Sequence, residues 1–80
     1  IVQYIRQQEY LIQGIFEKKL YQIPLNEVLY FETVDKKTFM YTQQKIFECK
    51  KTLSAIEQDL IRSNVVRISK TVLLNISGLC

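Results

Sequence analysis

The 80-residue sequence contains no histidine and no tryptophan, and it has only two cysteines, two glycines and one proline. Without histidine, neither the usual zinc clusters nor a nucleophile–histidine pair can be assembled. Cys49 and Cys80 are too few for a disulfide framework, and Gly14 and Gly78 are too few for a phosphate-binding glycine loop. We therefore predict that this is not an enzyme, that it holds no metal or cofactor, and that Cys49 is a reduced, buried thiol.

Long apolar runs are also missing. No run approaches the roughly 20 residues of a membrane-spanning helix, and the first residues lack the order of basic, apolar and small residues that marks a signal peptide. Hydrophobic residues make up 48% of the chain and charged residues 24%, which is typical of a globular domain. We expect one small domain in the cytoplasm.

The charge is distributed unevenly along the chain. Residues 1–35 carry three basic and five acidic side chains, whereas residues 36–70 carry eight basic and three acidic ones, and the last ten residues are uncharged. A basic half on a small domain is typical of a surface that binds nucleic acid or an anionic membrane. A merely solvated charged surface is the alternative.

Short apolar runs between polar residues predict a mostly β domain with a meander of three strands at its centre. The predicted strands cover residues 10–16, 20–23, 27–34, 38–42 and 45–50, and two more flank residues 69–71. From Thr52 the apolar residues recur at helical spacing, which predicts one short amphipathic helix capped by Thr52 or Ser54. Residues 1–9 have the spacing of the end of an N-terminal helix, so the domain itself is predicted over residues 10–80.

Two predicted turns present basic and hydroxyl side chains. Ser69, Lys70 and Thr71 interrupt two strand-forming runs, and Asp35, Lys36 and Lys37 separate two others. Lysine offers a point charge and hydroxyls donate hydrogen bonds, so such tips suit phosphate groups or base edges.

Aromatic residues lie on the two strands that flank the second of these turns. Tyr30 and Phe31 precede the turn, and Phe39 and Tyr41 follow it. Aromatic side chains on adjacent strands stabilise a sheet, and on an exposed sheet they stack on single-stranded bases. Because their neighbours are apolar, we predict that they pack within the protein.

The sequence resembles the LytTR DNA-binding domain. Its strand Val28-Leu29-Tyr30-Phe31-Glu32 is similar to the family's "I/V-L-Y-F/I-E", and a leucine-bearing helix follows. The stretch from Val65 to Asn75 is similar to "F-x-R-V/I-H/S-R/K-S/T-x-x-V/L-N". Val65 stands where the family usually has phenylalanine, and Ser69 stands where many members have histidine. The resemblance spans about residues 10–80.

This resemblance implies an elongated antiparallel β fold with one small helix that docks loops into successive major grooves of double-stranded DNA. It implies a bacterial transcription regulator that binds repeated sites as a pair of protomers. The positions that correspond to the DNA-contacting tips are Lys36, Lys37, Thr38, Arg67, Ser69, Lys70 and Thr71. The family domain usually continues through further strands that add another basic contact, so this chain is expected to be a truncated one.

Two of the motif residues allow more than one interpretation. Arg67 either reaches the DNA backbone or pairs internally with Glu32 or Glu57 and holds the tip in shape. Asn75, at a strand end, is interpreted as a partner of local backbone groups rather than of DNA.

A second class of function is compatible with the same pattern. A small β module that binds a protein partner, or assembles with itself, also shows apolar strands and a charged surface. In that case the basic tips are ordinary solvated turns.

Overall fold

The computed structural model describes residues 10–76, and these form a seven-stranded sheet in the order β2-β1-β5-β4-β3-β7-β6 with every neighbouring pair antiparallel. The strands are β1 Leu11–Phe16, β2 Lys19–Pro24, β3 Val28–Val34, β4 Lys37–Thr42, β5 Ile46–Cys49, β6 Val65–Arg67 and β7 Val72–Asn75. A 3-10 turn, Leu25–Glu27, joins β2 to β3, and the helix α1, Leu53–Asp59, lies between β5 and β6. The predicted mostly β fold with one short helix and a central three-stranded meander is confirmed. The helix end predicted over residues 1–9 lies outside the described residues.

The core lies between α1 and one face of the sheet. The register pairs Phe31 of β3 with Met40 of β4 on one side and with Leu73 of β7 on the other, and all three are fully buried. Paired residues point to the same face of a sheet, so these side chains form one apolar layer. Removing each of them from water stabilises the fold by roughly 2 kcal/mol.

The helix covers this layer with two buried side chains, Leu53 and Ile56, and the buried Leu60 follows at its C-cap. Its start is set by Thr52, whose hydroxyl oxygen accepts a hydrogen bond of 3.2 Å from the amide of Ala55. That bond satisfies one of the amides that a helix leaves unpaired in its first turn. The structure thus selects Thr52 over Ser54 as the cap.

Gly14 allows β1 to lie against the core. A Cβ at this position would come within 2.7 Å of Met40 Cε and of Phe47 Cβ. Any larger residue would therefore force the two core side chains to move.

Of the four aromatic side chains predicted to pack within the protein, only Phe31 is buried in the core. The prediction is wrong for Tyr30, Phe39 and Tyr41, which are half-buried on the opposite face of the sheet. Phe31 belongs to the core, whereas Tyr30 and Tyr41 stack on each other on the opposite face, with ring centroids 4.4 Å apart and an interplanar angle of 12°. Partial burial raises the pKa of the Tyr41 phenol, and the carboxylate of Glu32 raises it further. Each of the two tyrosine rings therefore covers one face of the other.

Candidate functional site

The first predicted tip is a tight two-residue turn between β3 and β4. Asp35 and Lys36 have φ angles of 52° and 67°, and two consecutive positive φ angles are the mark of a type I′ turn. Lys36 and Lys37 are both exposed. This turn therefore holds two ammonium groups in water at the end of the hairpin.

The second predicted tip lies between β6 and β7 and is wider. It begins after Arg67 and ends before Val72, and Ser69, Lys70 and Thr71 are all exposed. The Ser69 hydroxyl oxygen accepts a hydrogen bond of 3.2 Å from the amide of Thr71, which closes the turn.

The topology brings the two tips to the same end of the sheet. Strands β3 and β7 are antiparallel neighbours, with Glu32 opposite Val72, so the end of β3 lies beside the start of β7. The amide of Thr33 donates to the carbonyl of Thr71 over 2.8 Å and ties the two turns directly. Their centres are two strand spacings apart, which is about 10 Å.

A further pair of lysines joins this end of the sheet. Cys49, the last residue of β5, is paired with Thr38, next to the first tip, and Lys50 and Lys51 follow it. In the sequence these two lysines belong to the basic half, but they were not among the residues predicted at the site. The predicted meander of three strands already implied this position. In such a meander the end of the third strand lies beside the turn that joins the first two.

We call this surface the tip end and define it by Lys36, Lys37, Lys50, Ser69, Lys70 and Thr71. Within residues 10–76, its four lysines form no salt bridge, whereas Lys51 pairs with Asp59. The opposite end carries the β1–β2 turn, and there Lys45 lies over the Phe16 ring at 4.8 Å. Four unneutralised ammonium groups beside two hydroxyls make the tip end a surface that attracts polyanions.

Thr38 does not belong to this surface. The structure places it in β4, opposite Thr33 and Cys49, where only 5% of the residue is exposed. Strand alternation turns it toward the core face while its neighbour Lys37 stays in water. The expected contact between Thr38 and DNA is therefore not available in this arrangement.

Arg67 lies behind the second tip and bonds internally. Its Nη1 atom donates to Glu57 Oε1 on α1 over 2.7 Å, and its Nε and Nη2 atoms donate to the carbonyls of Ser69 and Lys70 over 3.1 and 3.2 Å. Of the two interpretations of Arg67, the structure shows internal pairing, with Glu57 and not with Glu32.

The sequence comparisons identify the family. The sequence profile described as the LytTr DNA-binding domain matches residues 18–79 of this chain. The chain belongs to the LytTR family of DNA-binding domains. The predicted family, a family of DNA-binding domains, is thereby confirmed.

The fold of this LytTR domain is also found in a solved structure. A LytTr DNA-binding domain from Bacillus cereus superimposes with a TM-score of 0.79 at 20% sequence identity. The match covers 86% of this chain and 63% of that one, so this LytTR domain spans less than two thirds of the other structure. No curated protein sequence matches this chain.

Three further features bear on the chemistry of the LytTR domain. Across residues 10–76, no three His, Cys, Asp or Glu side chains are grouped in a way that suits a metal ion. Burial raises the pKa of the Cys49 thiol to about 11, with the charge of Glu48 as a smaller cause, so this thiol is protonated at neutral pH. The described residues contain no helix that is long and apolar enough to cross a membrane.

Proposed function

We propose that this LytTR domain binds double-stranded DNA sequence-specifically through the tip end of its sheet, as the DNA-binding part of a bacterial transcription regulator that acts in the cytoplasm without catalysing a reaction. The observation that carries the proposal is the convergence of two exposed basic tips, joined by the Thr33–Thr71 hydrogen bond, in a chain of this family. On repeated sites, two protomers would bind side by side.

Each group at the tip end has a role that follows from its chemistry. Lys37 and Lys70 contact phosphates or the acceptors of guanine, while the hydroxyls of Ser69 and Thr71 bond base edges or phosphate oxygens. Lys36 and Lys50 flank them and contact the phosphate backbone. Base contacts give sequence preference, and phosphate contacts give affinity and register.

The separation of the tips limits how they approach the duplex. A major groove is about 12 Å wide, and successive major grooves are about 34 Å apart along the axis. Tips about 10 Å apart therefore contact one short stretch of DNA, with a tip in the major groove. Contact with successive major grooves, which the resemblance implies, requires a further contact from outside this pair of tips.

Selection of bound sequences from a pool of random duplexes tests this function. We expect one enriched motif, and we expect its affinity to fall by at least 10-fold between about 50 and 200 mM salt, since several phosphate contacts release counterions. Absence of an enriched motif together with weak salt dependence would contradict DNA recognition.

The second candidate is a protein-binding or self-assembling β module. It is favoured by apolar residues that are exposed in or beside β6, Val66 and Ile68, and by Ile46 of β5. Contacts through such residues are not steeply salt-dependent, because they bury apolar surface rather than charge. The same salt series therefore separates the two candidates.

A matched pair of turn variants separates charge from folding. Lys18 and Lys36 both follow a residue of positive φ and have a φ of 67° themselves, in the equivalent turns at opposite ends of the sheet. A positive φ strains a residue that has a Cβ, whereas glycine adopts it without strain. Lys36→Gly and Lys18→Gly are therefore each expected to raise the free energy of unfolding by about 0.5–1 kcal/mol. Urea denaturation measures this gain.

Only one of the two variants is expected to affect DNA. Lys36→Gly removes a charge from the tip end and weakens binding of the selected duplex by about 5-fold, whereas Lys18→Gly changes it by less than about 2-fold. Since both variants are more stable, unfolding cannot explain the loss. Equal effects of the two glycines on affinity would refute the placement of the DNA at the tip end.

A further inference from the structure

We propose that Glu57 of α1 is a positioning residue for the second tip: it holds Arg67, and Arg67 holds the backbone of Ser69 and Lys70 in the shape that meets DNA. This inference rests on the proposed function and adds a residue of the helix to the binding machinery. Its basis is a chain of three hydrogen bonds that share one guanidinium group.

The guanidinium of Arg67 joins the helix to the tip. It donates to Glu57 Oε1 at 2.7 Å, to the Ser69 carbonyl at 3.1 Å and to the Lys70 carbonyl at 3.2 Å. Arginine presents its donors in one rigid plane and accepts no hydrogen bonds, so these three bonds fix the relative positions of three acceptors. Lysine has no planar set of donors, so a lysine at position 67 would not fix these acceptors in the same way.

The tip needs this support more than the neighbouring turn does. The β3–β4 turn has two residues and is closed by its own strands, whereas four residues separate β6 from β7. The wider tip is closed by Ile68 N to Val72 O at 3.1 Å and by Thr71 N to Ser69 Oγ at 3.2 Å. Arg67 adds bonds to the two carbonyls between those closures.

Glu57 connects Arg67 to a helix that packs on the core. The helix that carries it is anchored by the buried side chains of Leu53 and Ile56 and by Leu60 at its C-cap. The side chains of Arg67 and Glu57 are 31% and 42% exposed, so their ion pair contributes little to overall stability. The ion pair acts locally, because it orients the Arg67 guanidinium, which donates to the carbonyls of Ser69 and Lys70 in the second tip.

The direction of the effect on DNA affinity distinguishes positioning from simple electrostatics. Glu57 is an acidic residue near a DNA-binding surface, and its charge repels phosphate. If charge alone mattered, removing the carboxylate would strengthen binding by about 2-fold to 3-fold. If Glu57 positions the tip, removing it weakens binding instead.

Asp59 provides a matched control on the same helix. It pairs with Lys51 as Glu57 pairs with Arg67, but Lys51 makes no bond to a tip carbonyl. Glu57→Ala is expected to weaken binding of the selected duplex by about 5-fold and to reduce its preference over an unrelated duplex, whereas Asp59→Ala strengthens binding. Glu57→Gln keeps an acceptor for Arg67 and is expected to recover part of the loss.

Amide chemical shifts in the free protein give a readout that does not depend on DNA. The amide chemical shifts of Ser69, Lys70 and Thr71 are expected to change in Glu57→Ala and to stay unchanged in Asp59→Ala. Strengthened DNA binding by both alanine variants, with unchanged tip amides, would overturn the positioning role and leave DNA binding intact. A wild-type protein that binds no duplex would instead overturn the proposed function and this inference with it.

Discussion

Replacing Lys37 and Lys70 together by alanine is expected to weaken binding of the selected duplex by about 30-fold at 150 mM salt. Each lysine that neutralises a phosphate contributes about 0.9 to the slope of log affinity against log salt, which corresponds to about 1 kcal/mol at this salt concentration. The slope itself should therefore fall by nearly two. Fluorescence anisotropy of a labelled duplex, measured from 50 to 200 mM salt, gives both quantities.

The control for this double variant lies at the opposite end of the sheet. Lys18 and Lys19 occupy the β1–β2 turn, and Lys19 begins β2 as Lys37 begins β4. Lys18→Ala with Lys19→Ala removes the same charge and is expected to change the affinity by less than about 3-fold, with an unchanged salt slope. If the two double variants lost affinity equally, DNA binding would depend on net charge and not on the tip end.

Replacing Asn75 by leucine is expected to lower the free energy of unfolding by about 3 kcal/mol. Asn75 is fully buried, and its Nδ2 atom donates to the carbonyls of Leu25 and Val28, at 2.8 Å each. Leucine has a similar size but no donor, so both carbonyls lose a partner inside the protein. Urea denaturation followed by circular dichroism measures the change.

Two comparisons identify the lost donor as the cause. Asn75→Asp keeps the shape but also lacks the donor, so it is expected to be at least as destabilising as leucine. Leu74→Ala, in the same strand but on the opposite face and only half-buried, is expected to cost about 1–2 kcal/mol. A stability of Asn75→Leu within about 0.5 kcal/mol of the wild type would show that these two hydrogen bonds contribute little.

Asn75 also shows where sequence reasoning reached its limit. An asparagine at a strand end was interpreted as a partner of backbone groups, and that is correct. The groups were expected to be local, however, and they lie 47 and 50 residues earlier in the chain, where the 3-10 turn meets β3. Side-chain hydrogen bonds over such distances depend on which strands become neighbours, and no local pattern encodes that.

The outcome for Thr38 has a similar origin. It was predicted as the first residue of a strand over residues 38–42, next to the basic turn, and was expected at the DNA. In the structure this strand begins one residue earlier, at Lys37. Side chains alternate between the two faces of a sheet, and the pairing of Thr38 with Thr33 and Cys49 places Thr38 on the core face. The DNA contacts of the other tip residues stay predictions, while their exposure at one end of the sheet is observed.

The sequence by itself determined the strands, the single helix, the turns and the family, because these depend on alternation, helical spacing, turn residues and motif order within short stretches. Only the tertiary structure decided which residues meet. The pairing of β3 with β7 places the two tips about 10 Å apart, the meander adds Lys50, and the position of α1 gives Arg67 an acidic partner in Glu57. The physical reason is that strand order is set by the burial of a shared core, which sums contacts along the whole chain.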